Sequence, residues 1–127
     1  VDVKKIEPKL KLNLDESYQL KINAKAKLSV EVEIFAENQL GVIHAFETLS
    51  QLVYFNFFSE VYSLPKSFEI SDAPRFSHRG LLIDTSRHFL PVALIKKLLR
   101  SLRMNKFSVL HWHMTEDESW PVISKTL

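Results

Sequence analysis

A strand–helix–strand pattern in the second half of the sequence is the strongest constraint on the fold. Residues 80–84 form a continuous apolar run that ends in polar residues, as in a strand that is buried on both faces. An amphipathic helix is predicted from Pro91, and a second buried strand is predicted over residues 107–114. Two strands joined through a helix pair in parallel, so this region is predicted to open an α/β fold.

The first half of the sequence has a different hydrophobic period. Residues 10–34 alternate between apolar and polar side chains, which is typical of antiparallel strands with one covered face. The alternation predicts three strands, and clusters of turn-forming residues predict two turns between them. The strands are expected over residues 10–14, 18–22 and 28–34, with turns at 15–17 and 23–25.

The period then changes to that of a helix from Leu40 to Val53. Val42, Phe46 and Leu49 share one face with Val53, and this face is predicted to cover the sheet. Asn38 is a candidate cap for the start of the helix. The polar side is predicted to carry His44, Glu47, Ser50 and Gln51.

A turn-rich joint at residues 71–74 separates the two patterns. Before it, a β-hairpin is predicted within residues 54–64 and a short strand over residues 67–70. We therefore predict two domains: an α+β domain over residues 1–74, and a unit that starts an α/β fold over residues 75–127.

Length and composition exclude several classes of protein. The chain has 127 residues, whereas a complete eight-stranded β/α barrel needs about 250. It has no Cys, which excludes disulfides and thiol chemistry within these residues, and its net charge of +2 comes from scattered side chains rather than a nucleic-acid-binding stripe. We predict no membrane span, because no apolar run approaches the roughly 18 residues required. No signal peptide is predicted either, and we expect the chain to be part of a longer protein.

Polar residues follow both predicted strands of the second half, at the ends where α/β folds build their sites. After the first strand, Arg87 has a planar guanidinium that can bind a carboxylate or a pair of sugar hydroxyls. The alternative is that Arg87 only pairs with Asp84 and stabilises the loop.

The second strand presents two further candidate sites. His111 and His113 point the same way along the strand and are a possible zinc pair, although structural histidines are the stronger interpretation because a third ligand is missing. The acidic run at residues 116–118, close to Trp120, suits a carbohydrate site. A solvated acidic turn is an equally good interpretation.

Several long stretches of this sequence resemble the β-N-acetylhexosaminidases of glycoside hydrolase family 20. Residues 74–91 and 104–113 are similar to the segments around that family's first two barrel strands, and residues 16–20 and 41–52 are similar to its N-terminal accessory domain. The resemblance implies an α+β accessory domain, an antiparallel sheet with a covering helix, followed by the start of a (β/α)8 TIM-type barrel.

The resemblance also implies a reaction and a set of site residues. The family hydrolyses terminal N-acetylglucosamine or N-acetylgalactosamine with retention, using the substrate's own acetamido oxygen as nucleophile and no cofactor or metal. The family's catalytic Asp-Glu pair follows its fourth strand, so we expect it beyond residue 127 and expect this chain alone to be inactive. Arg87 matches the arginine that binds the hydroxyls of the terminal sugar. The supporting residues are Glu116, where the family usually has Asp, Asp117, His113 and Asp84.

The same resemblance implies glycans or glycolipids as substrates, a possible dimer with a related subunit, and a lysosomal or secreted location. Two alternatives remain from the residues. The chain could be a non-catalytic fragment or splice form that acts by associating with another subunit. It could also be a metal-binding module built on His111 and His113, which is the weaker of the two.

Overall fold

The computed structural model describes residues 1–5, 10–11, 13–26, 29–123 and 125. The chain divides into two compact units, Val1–Arg75 and Phe76–Leu127. The first unit is a sheet with one covering helix, and the second is a strand–helix–strand element.

The elements of the first unit are β1 (Asp2–Lys5), β2 (Tyr18–Ala26), β3 (Ser29–Asn38), α1 (Gln39–Leu52), β4 (Tyr54–Asn56), β5 (Val61–Ser63) and β6 (Phe68–Asp72). Four of the strands form a sheet with the order β1-β3-β2-β6. Strand β2 lies antiparallel to both β3 and β6, whereas β1 lies parallel to β3 at the edge. Helix α1 follows β3, and β4 and β5 form a separate antiparallel hairpin.

The alternating pattern places the core of the first unit correctly. Leu20, Ile22 and Ile34 are fully buried and pack with Tyr18 and Ala45. Successive side chains of a strand point to opposite faces, so the four strand residues lie on the face that α1 covers, against Ala45 of the helix.

The strand predicted over residues 10–14 is wrong in the part that the structure describes. Leu10 and Leu14 lie outside any strand, and Leu12 lies outside the described residues. Asn13 has φ = 62°, a left-handed conformation that interrupts an extended chain. The predicted turn at 23–25 is also wrong, because β2 continues to Ala26.

The cap of α1 is confirmed and its bounds lie one residue before the predicted ones at each end, but its predicted buried face is only partly right. The Asn38 side chain accepts hydrogen bonds from the amides of Leu40 and Gly41. His44 and Glu47 are buried, although they were predicted on the polar side, and Phe46 is half exposed.

The buried face of α1 differs from the predicted one because the helix lies close to the chain before β2. A Cβ atom on Gly41 would lie 2.5 Å from the carbonyl oxygen of Ser17, so only glycine fits this contact. The approach brings His44 inward, where its Nε2 lies 2.7 Å from Glu16 Oε2. This pairing accounts for a polar residue on the buried side, since buried polar groups require partners.

The hairpin and the short strand at the end of the first unit are confirmed. Phe55 lies at the centre of the β4–β5 hairpin, with its ring centroid 5.1 Å from that of Phe57 and 5.3 Å from that of Tyr62. Strand β6 pairs with β2, so the short strand completes the sheet.

The predicted parallel strand–helix–strand pattern of the second unit is confirmed. It comprises β7 (Gly80–Asp84), α2 (Val92–Met104) and β8 (Val109–His113), and β7 pairs with β8 in parallel. Helix α2 starts directly after Pro91, and its residues Ile95 and Leu102 are buried. Within the described part of the chain, no helix is both long and apolar enough to cross a membrane.

Candidate functional site

The candidate site lies at the carboxyl ends of β7 and β8. The parallel register places Asp84 opposite His113, so the polar segments that follow the two strands leave from the same edge. The amide of Thr85 donates a 3.0 Å hydrogen bond to the carbonyl oxygen of His113, which extends the pairing past the strand end. Two segments far apart in sequence therefore meet as the strand pattern predicts.

Arg87 is held by two carboxylates at this edge. Its Nε donates a 2.6 Å hydrogen bond to Asp84 Oδ2, and its Nη2 lies 3.1 Å from Glu116 Oε1. The Arg87 side chain is nevertheless 69% exposed. The guanidinium is thus oriented on one side and open on the other, which is the arrangement needed to donate hydrogen bonds to a ligand.

Asp84 organises the loop that carries Arg87. Its Oδ1 accepts hydrogen bonds from the amides of Ser86 and Arg87, at 3.0 Å and 3.1 Å. These bonds, above all the one from the Arg87 amide, hold the pKa of the Asp84 carboxyl below its ordinary value, with the Arg87 guanidinium adding to the effect. Asp84 therefore stays ionised in mildly acidic solution.

Glu116 lies between Arg87 and a histidine of β8. Its Oε1 lies 3.0 Å from His113 Nε2. This nitrogen is buried and makes no hydrogen bond within the described part of the chain, so the contact has the distance of an ion pair without hydrogen-bond geometry. Glu116 Oε1 therefore lies within ion-pair distance of the Arg87 guanidinium and beside the His113 ring.

The acidic turn after β8 lines an open depression of about 500 Å³. Its walls carry hydroxyl, carboxylate and guanidinium groups, so the depression suits a polar ligand rich in hydroxyls. The lining residues are Ser86, Arg87, Glu116, Asp117, Glu118 and Ser119.

Four of the five predicted site residues are in direct contact through the Asp84–Arg87 and Arg87–Glu116–His113 pairs. Asp117 lines the same depression. Trp120 is 66% exposed, and the Trp112 indole nitrogen donates to Thr85 Oγ1. Among the residues that the structure describes, no group of three His, Cys, Asp or Glu side chains is arranged to hold a metal ion.

Neither Ser86 nor Ser119 is among the predicted site residues, and the bonds between them were not predicted. Ser86 Oγ donates to the carbonyl oxygen of Ser119 at 3.2 Å, and Ser119 Oγ donates to that of Ser86 at 2.8 Å. Serines in polar loops are common, and nothing in the sequence signals that two of them, one after each strand, are partners.

Two family models match the chain in the order expected for one enzyme family. Residues 76–127 match the catalytic domain of glycosyl hydrolase family 20, and residues 1–52 match a family described as β-acetyl hexosaminidase like. Together the models cover most of the sequence. The two halves of the chain are therefore similar to families of the same enzyme class, and the predicted resemblance to the β-N-acetylhexosaminidases of glycoside hydrolase family 20 is confirmed.

Individual relatives and solved structures show the same resemblance. The chain is 44% identical to the human β-hexosaminidase subunit beta over 116 residues, which cover 91% of this chain and 19% of the relative. Among solved structures, the chitobiase of Flavobacterium johnsoniae superposes with a TM-score of 0.80 at 40% identity, covering 94% of this chain and 17% of that one. An exo-β-N-acetylglucosaminidase from Vibrio harveyi, solved with N-acetylglucosamine, superposes with a TM-score of 0.74 at 32% identity and covers 98% of this chain and 18% of that one. The chain thus spans about a fifth of the length of the curated relatives that it matches.

Proposed function

We propose that this chain supplies the opening part of a retaining β-N-acetylhexosaminidase that removes terminal N-acetylglucosamine or N-acetylgalactosamine from glycans or glycolipids. Residues 1–74 serve as the accessory domain, and residues 75–127 open the TIM-type barrel. The parallel pairing of β7 and β8 supports the barrel, since all strands of such a barrel are parallel. The substrate class is supported by the Vibrio harveyi relative, which was solved with N-acetylglucosamine.

The observation that carries this proposal is the orientation of Arg87 by Asp84 and Glu116 while its side chain stays 69% exposed. Neighbouring hydroxyls of a sugar ring can both accept hydrogen bonds from one planar guanidinium. Arg87 is therefore proposed to bind the ring hydroxyls of the terminal sugar. Glu116 and Asp84 hold the guanidinium, and His113 and Asp117 complete the surrounding network.

In the proposed mechanism the acetamido oxygen of the substrate attacks the anomeric carbon, so no protein nucleophile, metal or cofactor is needed. The Asp that orients the acetamido group and the Glu that acts as general acid and base follow the fourth strand of the family's barrel. Asp117 and Glu118 are adjacent in sequence but follow the second strand of this unit. They are therefore not assigned the catalytic roles.

The proposal includes a related subunit as a possible partner and a lysosomal or secreted location. The partner is supported by the name of the human relative, which is a β-hexosaminidase subunit. The location is supported by family resemblance alone.

Sugar binding can be tested by nuclear magnetic resonance on the isotope-labelled 127-residue chain. Added N-acetylglucosamine should shift the signals of residues 84–88 and 115–119, with a dissociation constant weaker than about 1 mM, because one wall of a pocket supplies few contacts. Arg87→Ala should abolish the shifts. Arg100→Ala removes an exposed arginine from α2 and should leave them unchanged.

Two outcomes would contradict the assignment of Arg87. One is a set of shifts that survives Arg87→Ala, and the other is an unaltered spectrum of the wild-type chain at saturating sugar.

Hydrolysis gives a second test. The 127-residue chain should release no chromophore from a chromogenic N-acetylglucosaminide, because the proposed catalytic pair is not among its residues. Turnover clearly above a buffer blank that also survives Arg87→Ala would contradict this placement of the pair.

A further inference from the structure

The two loops of the candidate site are joined by a pair of reciprocal hydrogen bonds. Each serine hydroxyl donates to the other residue's carbonyl oxygen, at 3.2 Å from Ser86 and at 2.8 Å from Ser119. We call this pair the serine clamp. Reciprocal bonds resist both sliding and separation of the loops, because each movement lengthens at least one of them.

The clamp acts on Glu116 through a tight turn. The amide of Glu116 donates to the carbonyl oxygen of Ser119 at 2.8 Å, and the amide of Ser119 donates back to that of Glu116 at 3.2 Å. The Ser119 carbonyl oxygen thus accepts both the Glu116 amide and the Ser86 hydroxyl, which its two lone pairs permit. These hydrogen bonds therefore connect the whole turn of residues 116–119 to Ser86.

The other loop is equally constrained, because Asp84 Oδ1 accepts the amides of Ser86 and Arg87. The contacts close a ring that runs from Asp84 through Ser86, Ser119 and Glu116 to Arg87, and back to Asp84. The Arg87–Glu116 ion pair of this ring is accessible to solvent, because the Arg87 side chain is 69% exposed. Exposed ion pairs contribute little unless their geometry is fixed by other contacts.

We propose that Ser86 and Ser119 are positioning residues, which hold Glu116 against Arg87 and thereby orient the guanidinium toward the sugar. This inference rests on the proposed sugar-binding role of Arg87. It assigns to two serines outside the predicted site the task of keeping the acidic turn in place.

The test uses the 127-residue chain with Ser86→Ala and Ser119→Ala, singly and together, and with Glu116→Gln. Loss of the clamp and loss of the Glu116 charge should each weaken N-acetylglucosamine binding by about threefold, the size expected for one exposed ion pair. If the clamp acts through Glu116, a variant that combines both serine changes with Glu116→Gln should bind the sugar no more weakly than the double serine variant or Glu116→Gln alone. The proposal would be overturned if the loss of affinity in this combined variant equalled the product of the two separate losses.

A second readout does not depend on the sugar. Contact with Glu116 hinders rotation about the Nε–Cζ bond of Arg87, and nuclear magnetic resonance measures the rate of this rotation. The rate should rise in the clamp variants to about the value seen with Glu116→Gln, and an unchanged rate would overturn the proposal. If the wild-type chain binds no sugar, the proposed function fails, while the rotation rate still decides the role of the clamp.

Two further variants exclude a general effect on folding. Ser119→Thr keeps a hydroxyl donor and should restore both binding and the slow rotation. Ser108→Ala removes a hydroxyl that links residues 77 and 79 at the opposite ends of the same strands, through bonds of 3.0 Å. It should leave both readouts at the wild-type value, and a change as large as that of the clamp variants would show that any lost hydroxyl in this unit has the same effect.

Discussion

At the residue scale, Asp84 performs two tasks with its two oxygens. Oδ1 accepts hydrogen bonds from the amides of Ser86 and Arg87, which shape the loop, and Oδ2 accepts a hydrogen bond from Arg87 Nε. A single carboxylate thus sets both the backbone that carries Arg87 and the direction of its guanidinium. This double use makes the site sensitive to the ionisation of Asp84.

The pKa of Asp84 should remain below its ordinary value of about 3.9 even in Arg87→Ala. The largest cause of the lowered pKa is the amide of Arg87, which alanine retains, and the guanidinium contributes less. A carbon-detected titration of the carboxyl group in both proteins measures this. Return of the pKa to the ordinary value in Arg87→Ala would show that the guanidinium dominates.

The lowered pKa also has a defined effect on stability. Since the pKa of Asp84 is lower in the folded chain than in the unfolded chain, its stabilising contribution is present above the ordinary value of about 3.9 and is lost as the pH falls through the folded value. Asp84→Asn should therefore remove the part of the acid-induced loss of stability that occurs below about pH 4. Denaturant unfolding of both proteins between pH 2 and pH 7 would show it, and identical pH profiles would contradict it.

At the scale of elements, α1 depends on what lies at its first turn. Asn38 Oδ1 accepts hydrogen bonds from two amides of that turn, and Asn38 Nδ2 donates a hydrogen bond to the carbonyl oxygen of Asp15. The cap therefore joins the start of the helix to the chain before β2. Gly41 lies at the same junction, against Ser17.

Asn38→Ala should lower the free energy of unfolding by about 1 kcal/mol, because the first-turn amides lose their acceptor. Asn38→Ser keeps a capping oxygen and loses only the donor to Asp15, so it should cost less. Denaturant unfolding of the three proteins gives the comparison. An alanine variant as stable as the wild type would contradict the capping role.

Gly41→Ala should destabilise the chain although alanine is the better helix former by about 1 kcal/mol. The added Cβ would lie 2.5 Å from the Ser17 carbonyl oxygen, so the helix or the preceding segment must shift. Ser50→Ala, on the exposed side of the same helix, provides the control and should be close to neutral. A stabilising Gly41→Ala in the same denaturant experiment would disprove the close contact.

At the scale of the whole molecule, burial is distributed unevenly between the units. The fully buried large side chains among the described residues, Leu20, Ile22 and Ile34, all belong to the first unit. In the second unit, Leu82 is 57% exposed and Trp112 is 39% exposed, on strands whose sequence is typical of burial on both faces. This exposure is consistent with a chain that spans about a fifth of the length of its relatives.

Leu20→Ala should lower the free energy of unfolding by about 2–5 kcal/mol, because it leaves a cavity in the only large core that the described residues form. Leu10→Ala makes the same chemical change in the same unit at a side chain that is 82% exposed, and it should have little effect. Equal effects of the two variants on chemical denaturation would contradict this location of the core.

Local periodicity was sufficient to predict much of this architecture. The apolar run of β7, the stripe of α2 and the cap of α1 are patterns within one element, and neighbouring residues set them. The position of the polar segments after β7 and β8 at one edge also followed from the strand pattern, because parallel strands present their carboxyl ends together. The contacts of Glu116 with Arg87 and His113 were not predicted. The domain functions, the barrel and the roles of these residues stay predictions.

Other features were decided only when distant segments packed together. Strand β1 has four residues and takes its place in the sheet from pairing with β3, more than 30 residues away, which no local pattern indicates. The buried face of α1 depends on the contact between Gly41 and Ser17, and the serine clamp depends on two loops that meet across the strand ends. The sequence by itself determined both helices and most of the strands, because these depend on a residue and its near neighbours. The tertiary structure decided the edge strand β1, the pairing partners and the orientation of side chains, because these depend on contacts between atoms that the chain brings together only on folding.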